Sequence, residues 1–265
     1  MSHEILFRRN AVRECLRAGR RKFYRLVIAA DATLRAAELQ DILAEARRRK
    51  IPVETADKKD INVAVHGERH QNLLLEVGPY PYAALEDIAA RTAERGEPAF
   101  LLLLDLVQDP RNVGALLRTA EAMGTHGVVI QERRGCEITP TVVVTSAGAA
   151  ESLLVAQVTN LAETMRRLKQ RDIWLVGLGL NPEAQPMNEV DLNMSLGLVI
   201  GNEGEGLRRL VRDRCDFLVK LPMHGQVQSL NAAVAGSLAL YAARQARTRR
   251  ASDRPSERNG KRPAG

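Results

Sequence analysis

The stretch Gly201-Asn-Glu-Gly-Glu-Gly-Leu-Arg-Arg209 follows directly on the apolar run Leu196-Gly-Leu-Val-Ile200, placing three glycines and two acids at the C-terminal end of a strand. A turn of that composition exposes backbone donors and acceptors to a ligand, with a helix starting beyond it. It is not a nucleotide fingerprint: Gly204-Glu-Gly206-Leu-Arg-Arg209 lacks the third glycine of G-x-G-x-x-G and has no Lys-Ser/Thr ending. The loop is therefore expected to hold a ligand other than a dinucleotide or a triphosphate.

Two further segments carry residues of the same kind. Asp109-Pro-Arg-Asn112 and Gly114 precede Leu116-Leu-Arg118-Thr-Ala120, just past another strong strand candidate. Asn112 and Arg118 are six residues apart, which puts an amide near one end of a ligand site and a guanidinium in the first helical turns. An amide both donates and accepts toward a sugar or a backbone, and a guanidinium meets phosphate with a planar fork of donors. The plain alternative is an Asn cap and a surface arginine. Glu203, between Gly201 and Gly204, either receives hydrogen bonds from a substrate or holds Arg118, and Glu205 competes with it for that role.

Leu221-Pro-Met-His-Gly225 leaves a further strand and runs through Gln226-Val-Gln-Ser229 into Leu230-Asn231 and a terminal helix. Ser229 is read first as the cap of that helix, with ligand orientation as the alternative, and Asn231 as a ligand residue using both halves of its amide. Histidine titrates where acid–base chemistry needs it, but His224 stands alone in a turn. The five histidines contain no H-E-x-x-H motif, so metal chemistry is not expected.

The elements that must position these residues alternate. A helix over 10–18, with Ala11, Cys15 and Ala18 on one side, is followed by a basic turn and a strand over 24–29. A helix over 36–49 and a strand over 73–77 complete a small α/β module. The Pro- and Gly-punctuated interval 79–98, with a short helix over 85–93, marks a domain boundary. Beyond it, strands over 100–104, 127–130, 173–178, 196–200 and 217–220 alternate with helices over 112–123, 141–149, 161–169 and 207–211. That order argues for a largely parallel sheet covered by helices. A terminal helix over 229–243 precedes a flexible basic tail over 245–265.

At 265 residues and 45% hydrophobic, the chain can bury two cores. The three cysteines, Cys15, Cys136 and Cys215, form no C-x-x-C pair, so buried thiols in a reducing compartment are expected. The net charge of +7 sits at the ends: residues 244–265 carry eight basic residues against two acids, which leaves the remainder at +1. The first thirty residues add Arg8, Arg9, Arg13, Arg17, Arg20, Arg21, Lys22 and Arg25 against Glu4 and Glu14. A polyanion partner is argued from those ends. Runs such as 100–104 fall far short of the roughly twenty residues that span a bilayer, and no apolar leader follows Arg8-Arg9, so cytoplasm is expected.

Taken in order, Asn112-Val-Gly-Ala-Leu-Leu-Arg118, Leu198-Val-Ile-Gly-Asn-Glu-Gly-Glu-Gly-Leu207 and Leu221-Pro-Met-His-Gly-Gln-Val-Gln-Ser-Leu-Asn231 resemble the three motifs of the SpoU/TrmH RNA ribose 2'-O-methyltransferases. The resemblance covers residues 98–244, and Glu4-Ile-Leu-Phe-Arg-Arg-Asn-Ala-Val12 is similar to the start of the N-terminal RNA-binding domain of two-domain members. Bacterial 23S rRNA guanosine-2'-O-methyltransferases, which modify the peptidyl-transferase region, are the most similar branch. The resemblance implies an L30e-like α/β RNA substrate-binding domain over 1–80, a linker over 81–98, and a SPOUT-like α/β domain over 99–244 with a parallel sheet and a deep trefoil knot. It also implies a homodimer, no membrane, and S-adenosyl-L-methionine held by Gly177, Leu178, Gly179, Ile200, Gly201, Asn202, Leu221, Met223, Ser229 and Leu230.

By the same resemblance Arg118 helps deprotonate or polarise a ribose 2'-hydroxyl, Asn112 and Glu203 organise Arg118 and the target nucleotide, and Ser229 and Asn231 complete the site. The expected partner is 23S rRNA or a ribosomal precursor. Methylation of tRNA, resistance-type rRNA methylation and a non-enzymatic RNA-binding protein are the competing readings. Four positions depart from the family pattern: Arg9 and Asn72 stand where glycines are usual, and Ala232-Ala233 follows Asn231 in place of Val-Ser.

Overall fold

The computed structural model describes residues 3–30 and 37–252; Ala36 and the tail over 253–265 lie outside them. The first domain runs β1 (Glu4–Phe7), α1 (Arg9–Ala18), β2 (Phe23–Ala29), α2 (Ala37–Arg48), β3 (Val53–Ala56), α3 (Lys58–Ala64) and β4 (Leu73–Val77). Its four strands order as β1-β4-β2-β3, with only the β2–β3 pair parallel. Leu6, Val12, Cys15, Leu16, Leu26 and Leu75 fill the core between sheet and helices.

The second domain opens with α4 (Leu85–Arg95), β5 (Phe100–Asp105), α5 (Pro110–Ala122), β6 (Gly127–Gln131), α6 (Pro140–Thr145), α7 (Ala149–Ser152), β7 (Val155–Val158) and α8 (Leu161–Lys169). It continues with β8 (Trp174–Leu178), β9 (Gln185–Pro186), β10 (Leu196–Gly201), α9 (Arg209–Arg212), β11 (Phe217–Lys220) and α10 (Ala232–Ser252). Every pairing in its seven-stranded sheet, ordered β7-β6-β5-β10-β8-β11-β9, is parallel. The central strands are apolar throughout because both faces are covered: all six residues of β5 and of β10 are buried. The strand order reverses between β5 and β10, so their carboxyl ends open a crevice where ligands of such sheets bind.

Several expectations are corrected. The single helix expected over 141–149 is two short ones, because Ala147 (φ +54°) and Gly148 (φ +90°) turn the chain left-handed between α6 and α7. Tertiary packing imposes that turn, since α1 lies directly against Gly148, beside Asn10 and Glu14. The terminal helix starts later and runs further than expected. Arg247, assigned to a flexible tail, is 8% exposed and donates to the carbonyls of Pro98 (2.8 Å), Ala99 (2.5 Å) and Met194 (2.6 Å). Burial pushes its guanidinium down to about 10. The short helix expected over 85–93 within the 81–98 linker is α4, two residues longer, and its Ile88 packs against the sheet with Leu101, Leu103 and Val129.

Most of the N-terminal basic residues serve the fold. Arg13 pairs with Asp41, Arg17 with Glu14, and Arg25 with both Glu54 and Glu76. Arg21 is fully buried between the domains, its guanidinium 2.8 Å from Glu151 and 2.6 Å from Glu4. The Tyr80 hydroxyl donates to Ala150 (2.7 Å) and Arg20 to the carbonyl of Leu153 (2.5 Å), so the two domains share a polar seam.

The left-handed residue ahead of α1 is Arg8 (φ +69°, ψ +135°), not Arg9, so the missing glycine belongs at Arg8. Asn72 is also left-handed (φ +67°). Arg8→Gly is expected to raise stability by about 1 kcal/mol in urea unfolding, because the relieved strain outweighs the weak exposed pair to Glu68 and the added freedom of the unfolded chain. Burial pushes the Cys136 thiol up to about 11 and the Cys215 thiol up to about 12, and raises Cys15 as well, with Glu151 beside it. The thiolate is the reactive species, so at pH ~8 the folded protein is expected to react with iodoacetamide at least about tenfold more slowly than the unfolded chain.

Candidate functional site

At the crevice, the end of β10 folds into a tight hairpin. Asn202 and Gly206 exchange both main-chain hydrogen bonds (3.1 and 3.0 Å) across the turn formed by Glu203, Gly204 and Glu205. The hairpin lies so close on its own strand that a Cβ on Gly201 would sit 2.2 Å from the carbonyl carbon of Gly206. With the loop after β8 and the segment after β11, it encloses a cavity of about 470 Å³, within the usual range for small-molecule sites.

The cavity wall contains Leu178, Gly179, Ile200, Gly201, Asn202, Glu203, Leu221, Met223, Ser229 and Leu230, all singled out from the sequence. It also contains Glu205, the acid that competes with Glu203 in the sequence, and Leu180, Asn181, Pro182, Gly204, Gly206, Ala232 and Ala235, which were not assigned there. Gly177 does not belong to it: a Cβ at that position would meet Cys215 Sγ and Leu207 Cδ1, each at 2.7 Å, so this glycine allows packing behind the sheet.

Beside the cavity, Asn231 joins three elements. Its Oδ1 accepts from the backbone N–H of Ala233 (2.9 Å) and Val234 (3.3 Å), which makes Asn231 the N-cap of α10 in place of Ser229. Its Nδ2 then donates to Asn112 Oδ1 and to Glu203 Oε1, both at 3.1 Å. The cap fixes which way the amide points, because only the oxygen can accept from the helix. Asn112 is not itself a cap: α5 is capped by Asp109, which accepts from the Arg111 N–H, with Pro110 in the first turn.

Glu203 therefore holds Asn231, and not Arg118 as one reading of the sequence had it. Six residues of helix separate Arg118 from Asn112 by about 9 Å along the axis and roughly 240° around it. Arg118 lies on the exposed side of α5. Ser229 is exposed at the cavity rim and His224 is exposed in the same segment. Among the described residues there is no cluster of three or more His, Cys, Asp or Glu fit for a metal ion, and no helix is long and apolar enough to cross a membrane.

A second set of contacts anchors the far leg of the hairpin. Asp105, at the end of β5 and 0% exposed, accepts from the Arg208 backbone N–H (2.9 Å) and from its Nε (2.8 Å). Arg208 Nη2 donates to Gln131, at the end of β6, at 2.9 Å. None of the three was singled out from the sequence. The one available signal was an acid closing the apolar run Phe100-Leu-Leu-Leu-Leu104, where a buried carboxylate requires a partner.

A parallel sheet with a glycine hairpin at its switch point, a cavity and an adjoining amide–carboxylate cluster is the architecture of the α/β class in which small ligands bind at the carboxyl ends of the strands. The chain belongs to the SpoU rRNA methylase family, which residues 99–241 match, while residues 5–83 match the RNA 2'-O ribose methyltransferase substrate binding domain. It is an RNA 2'-O-ribose methyltransferase with a substrate-binding domain followed by a catalytic one. YacO of Bacillus subtilis, named for the TrmH family of tRNA/rRNA methyltransferases, is 41% identical over 239 residues, covering 90% of this chain and 94% of YacO.

Among solved structures, the SpoU methyltransferase AviRb of Streptomyces viridochromogenes in complex with AdoMet superposes with a TM-score of 0.77 at 24% identity, covering 93% of this chain and 91% of AviRb. An AdoMet-bound rRNA methyltransferase from Sinorhizobium meliloti superposes with a TM-score of 0.74 at 22% identity, covering 92% of this chain and 87% of the other.

Proposed function

We propose that this enzyme methylates the ribose 2'-hydroxyl of a guanosine in 23S rRNA, using S-adenosyl-L-methionine, as a cytoplasmic homodimer. The observation that carries the reading is the cavity itself: the loops that resemble the family's motifs converge on one space beside the Asn112–Asn231–Glu203 cluster. Its wall suits the cofactor. Leu178, Ile200, Leu221, Met223 and Leu230 offer apolar surface to an adenine and a methionine chain, and the hairpin backbone offers donors and acceptors. Glu203 and Glu205 add negative charge to the wall, which would suit a cofactor that carries a sulfonium and an ammonium.

When bound, the cofactor supplies an electrophilic methyl group on sulfur. The chain's own residues bring the ribose oxygen into line with that methyl and remove its proton. Arg118 carries the polarising or deprotonating role in this reading, with Asn112, Glu203, Ser229 and Asn231 orienting the nucleotide. The first 80 residues hold structured RNA, as the substrate-binding match suggests. The knot is proposed with the family fold.

The homodimer is supported by α10. Val234 (49% exposed), Leu238 (47%) and Tyr241 (53%) form an i, i+4, i+7 stripe that faces solvent in the single chain. Leu238→Asp is expected to shift the dimer to monomer in light scattering.

Purified protein is incubated with isotopically labelled S-adenosylmethionine and protein-free 23S rRNA, and the product is mapped by nuclease digestion and mass spectrometry. One 2'-O-methylguanosine is expected, with transfer reduced about a hundredfold or more in Arg118→Ala. A methyl group found only on tRNA, or on a different base, overturns the target. Undiminished transfer by Arg118→Ala overturns the role of Arg118.

A further inference from the structure

We propose that Arg208, seated in a socket formed by Asp105 and Gln131, is a positioning residue for the methyl donor: it clamps the glycine hairpin to the sheet and so sets the wall of the cofactor cavity. The proposal rests on the cavity being the S-adenosylmethionine site.

The hairpin has two legs, and they are held differently. Its first leg is β10, whose Gly201 pairs in register with Asp105 of β5. The second leg returns through Gly206 and Leu207 and reaches Arg208 back over the same strand end, where the Asp105 carboxylate waits. One carboxylate takes both the backbone N–H and the Nε of Arg208, so main chain and side chain are fixed together. The Nη2 lies 2.6 Å from the same carboxylate and also donates to Gln131 on the next strand, a second point that opposes rotation about the Asp105 contact.

The energetics favour a clamp over an incidental surface pair. The Asp105 side chain is 0% exposed, against 41% for Arg208, so the carboxylate has exchanged water for these donors. Buried acceptors without a partner are strongly unfavourable, and hydrogen bonds to ionised groups are among the stronger ones. The turn itself cannot supply the same restraint. It contains Gly204 (φ +88°) and Gly206 (φ +69°), the most permissive residues available, and one pair of cross-turn hydrogen bonds. At its tip, Glu203 reaches Asn231. The hairpin is thus pinned at the tip by Asn231 and at the base by Arg208, with the cavity along its side.

Removal of the base pin frees the returning leg at Glu205 and Gly206 along the cavity, while Glu203 stays tied to Asn231 at the tip and the first domain is not touched. The expected signature is a loss confined to the donor.

The test is calorimetric titration of S-adenosylmethionine into the full chain and its variants, beside steady-state kinetics and an RNA-binding isotherm. Arg208→Ala is expected to raise the Kd and KM for S-adenosylmethionine about tenfold, while kcat at saturating donor and the RNA Kd change less than about twofold. Arg208→Lys, which keeps the charge near Asp105 but loses the planar fork, is expected to recover part of that loss. Gln131→Met is expected to give a smaller rise, and it reports on the socket even if Arg208→Ala fails to fold.

Unchanged donor affinity in folded Arg208→Ala overturns the proposal, as does a fall in RNA affinity with donor affinity intact, which would make Arg208 an RNA contact. Failure of the unaltered protein to bind S-adenosylmethionine would instead refute the assignment of the cavity.

Discussion

A Gly201→Ala chain is expected to fold and yet to have lost S-adenosylmethionine binding by about a hundredfold or more, the scale on which a displacement of one ångström acts in a closely fitted site. The added Cβ would stand 2.2 Å from the carbon and 2.3 Å from the oxygen of Gly206, and 2.5 Å from the Leu207 nitrogen. All three are backbone atoms of the returning leg, so no side chain can rotate out of the way. The hairpin must lift, taking Asn202, Glu203 and Gly206 with it, and these line the cavity.

Gly204→Ala is the matched control. Nothing lies within 4 Å of a Cβ there, and only the left-handed backbone (φ +88°) opposes the change. That costs about 1 kcal/mol of local strain without displacing the wall. Titration calorimetry on both chains, with circular dichroism to verify folding, separates close approach from turn conformation. Equal donor affinity in the two variants would refute the steric argument.

What could be read in advance followed the range of the forces involved. The helix over 161–169 and the strands over 73–77 and 217–220 match the structure residue for residue, because local periodicity and composition already contain them. The cavity wall was legible through the glycine-rich loop and the resemblance together, with Gly177 as the exception. A glycine that accommodates the Cys215 thiol has the same appearance in sequence as one that accommodates a ligand.

The failures share a cause: in each, a contact distant in sequence decided the outcome. Thr145-Ser-Ala-Gly-Ala149 reads as a small-residue helix, and α1, more than a hundred residues earlier, breaks it. Arg247 reads as tail charge, and carbonyls at the start of β5 and before β10 bury it. The Asp105–Arg208 clamp spans 103 residues and has no local pattern at all. The cap at Asn231 was missed by two positions because Ser229 and Asn231 are both good caps, and the bonds to Asn112 and Glu203 settle the choice.

The second large effect concerns the seam between the domains. Arg21 and Glu151 are 0% and 1% exposed at their side chains, and Arg21 also reaches Glu4 and the carbonyl of Gly78 (3.0 Å). Burial works against the Arg21 charge, but Glu151 and Glu4 outweigh it and hold its proton more tightly than in water. Glu151→Gln or Arg21→Met alone leaves one buried charge uncompensated, and each is expected to cost about 3–5 kcal/mol in urea unfolding. The double variant Arg21→Met with Glu151→Leu removes both charges and is expected to recover most of that loss, since neither desolvated ion remains. A single-variant cost under about 1 kcal/mol would show that water or a rearranged partner already screens the pair.

Replacing such a pair by apolar residues is often neutral or stabilising, so stability alone does not explain its presence here. Orientation does: an ion pair with fixed donors accepts one docking angle, whereas an apolar seam tolerates several. An enzyme that grips RNA with one domain and methylates it with another requires a fixed distance between grip and ribose oxygen, because reacting groups must be held in line. The double variant is therefore expected to remain stable and to bind S-adenosylmethionine normally, while its KM for RNA rises several-fold, about 1 kcal/mol in transition-state terms. An unchanged KM for RNA in a folded double variant would assign the pair to folding specificity alone.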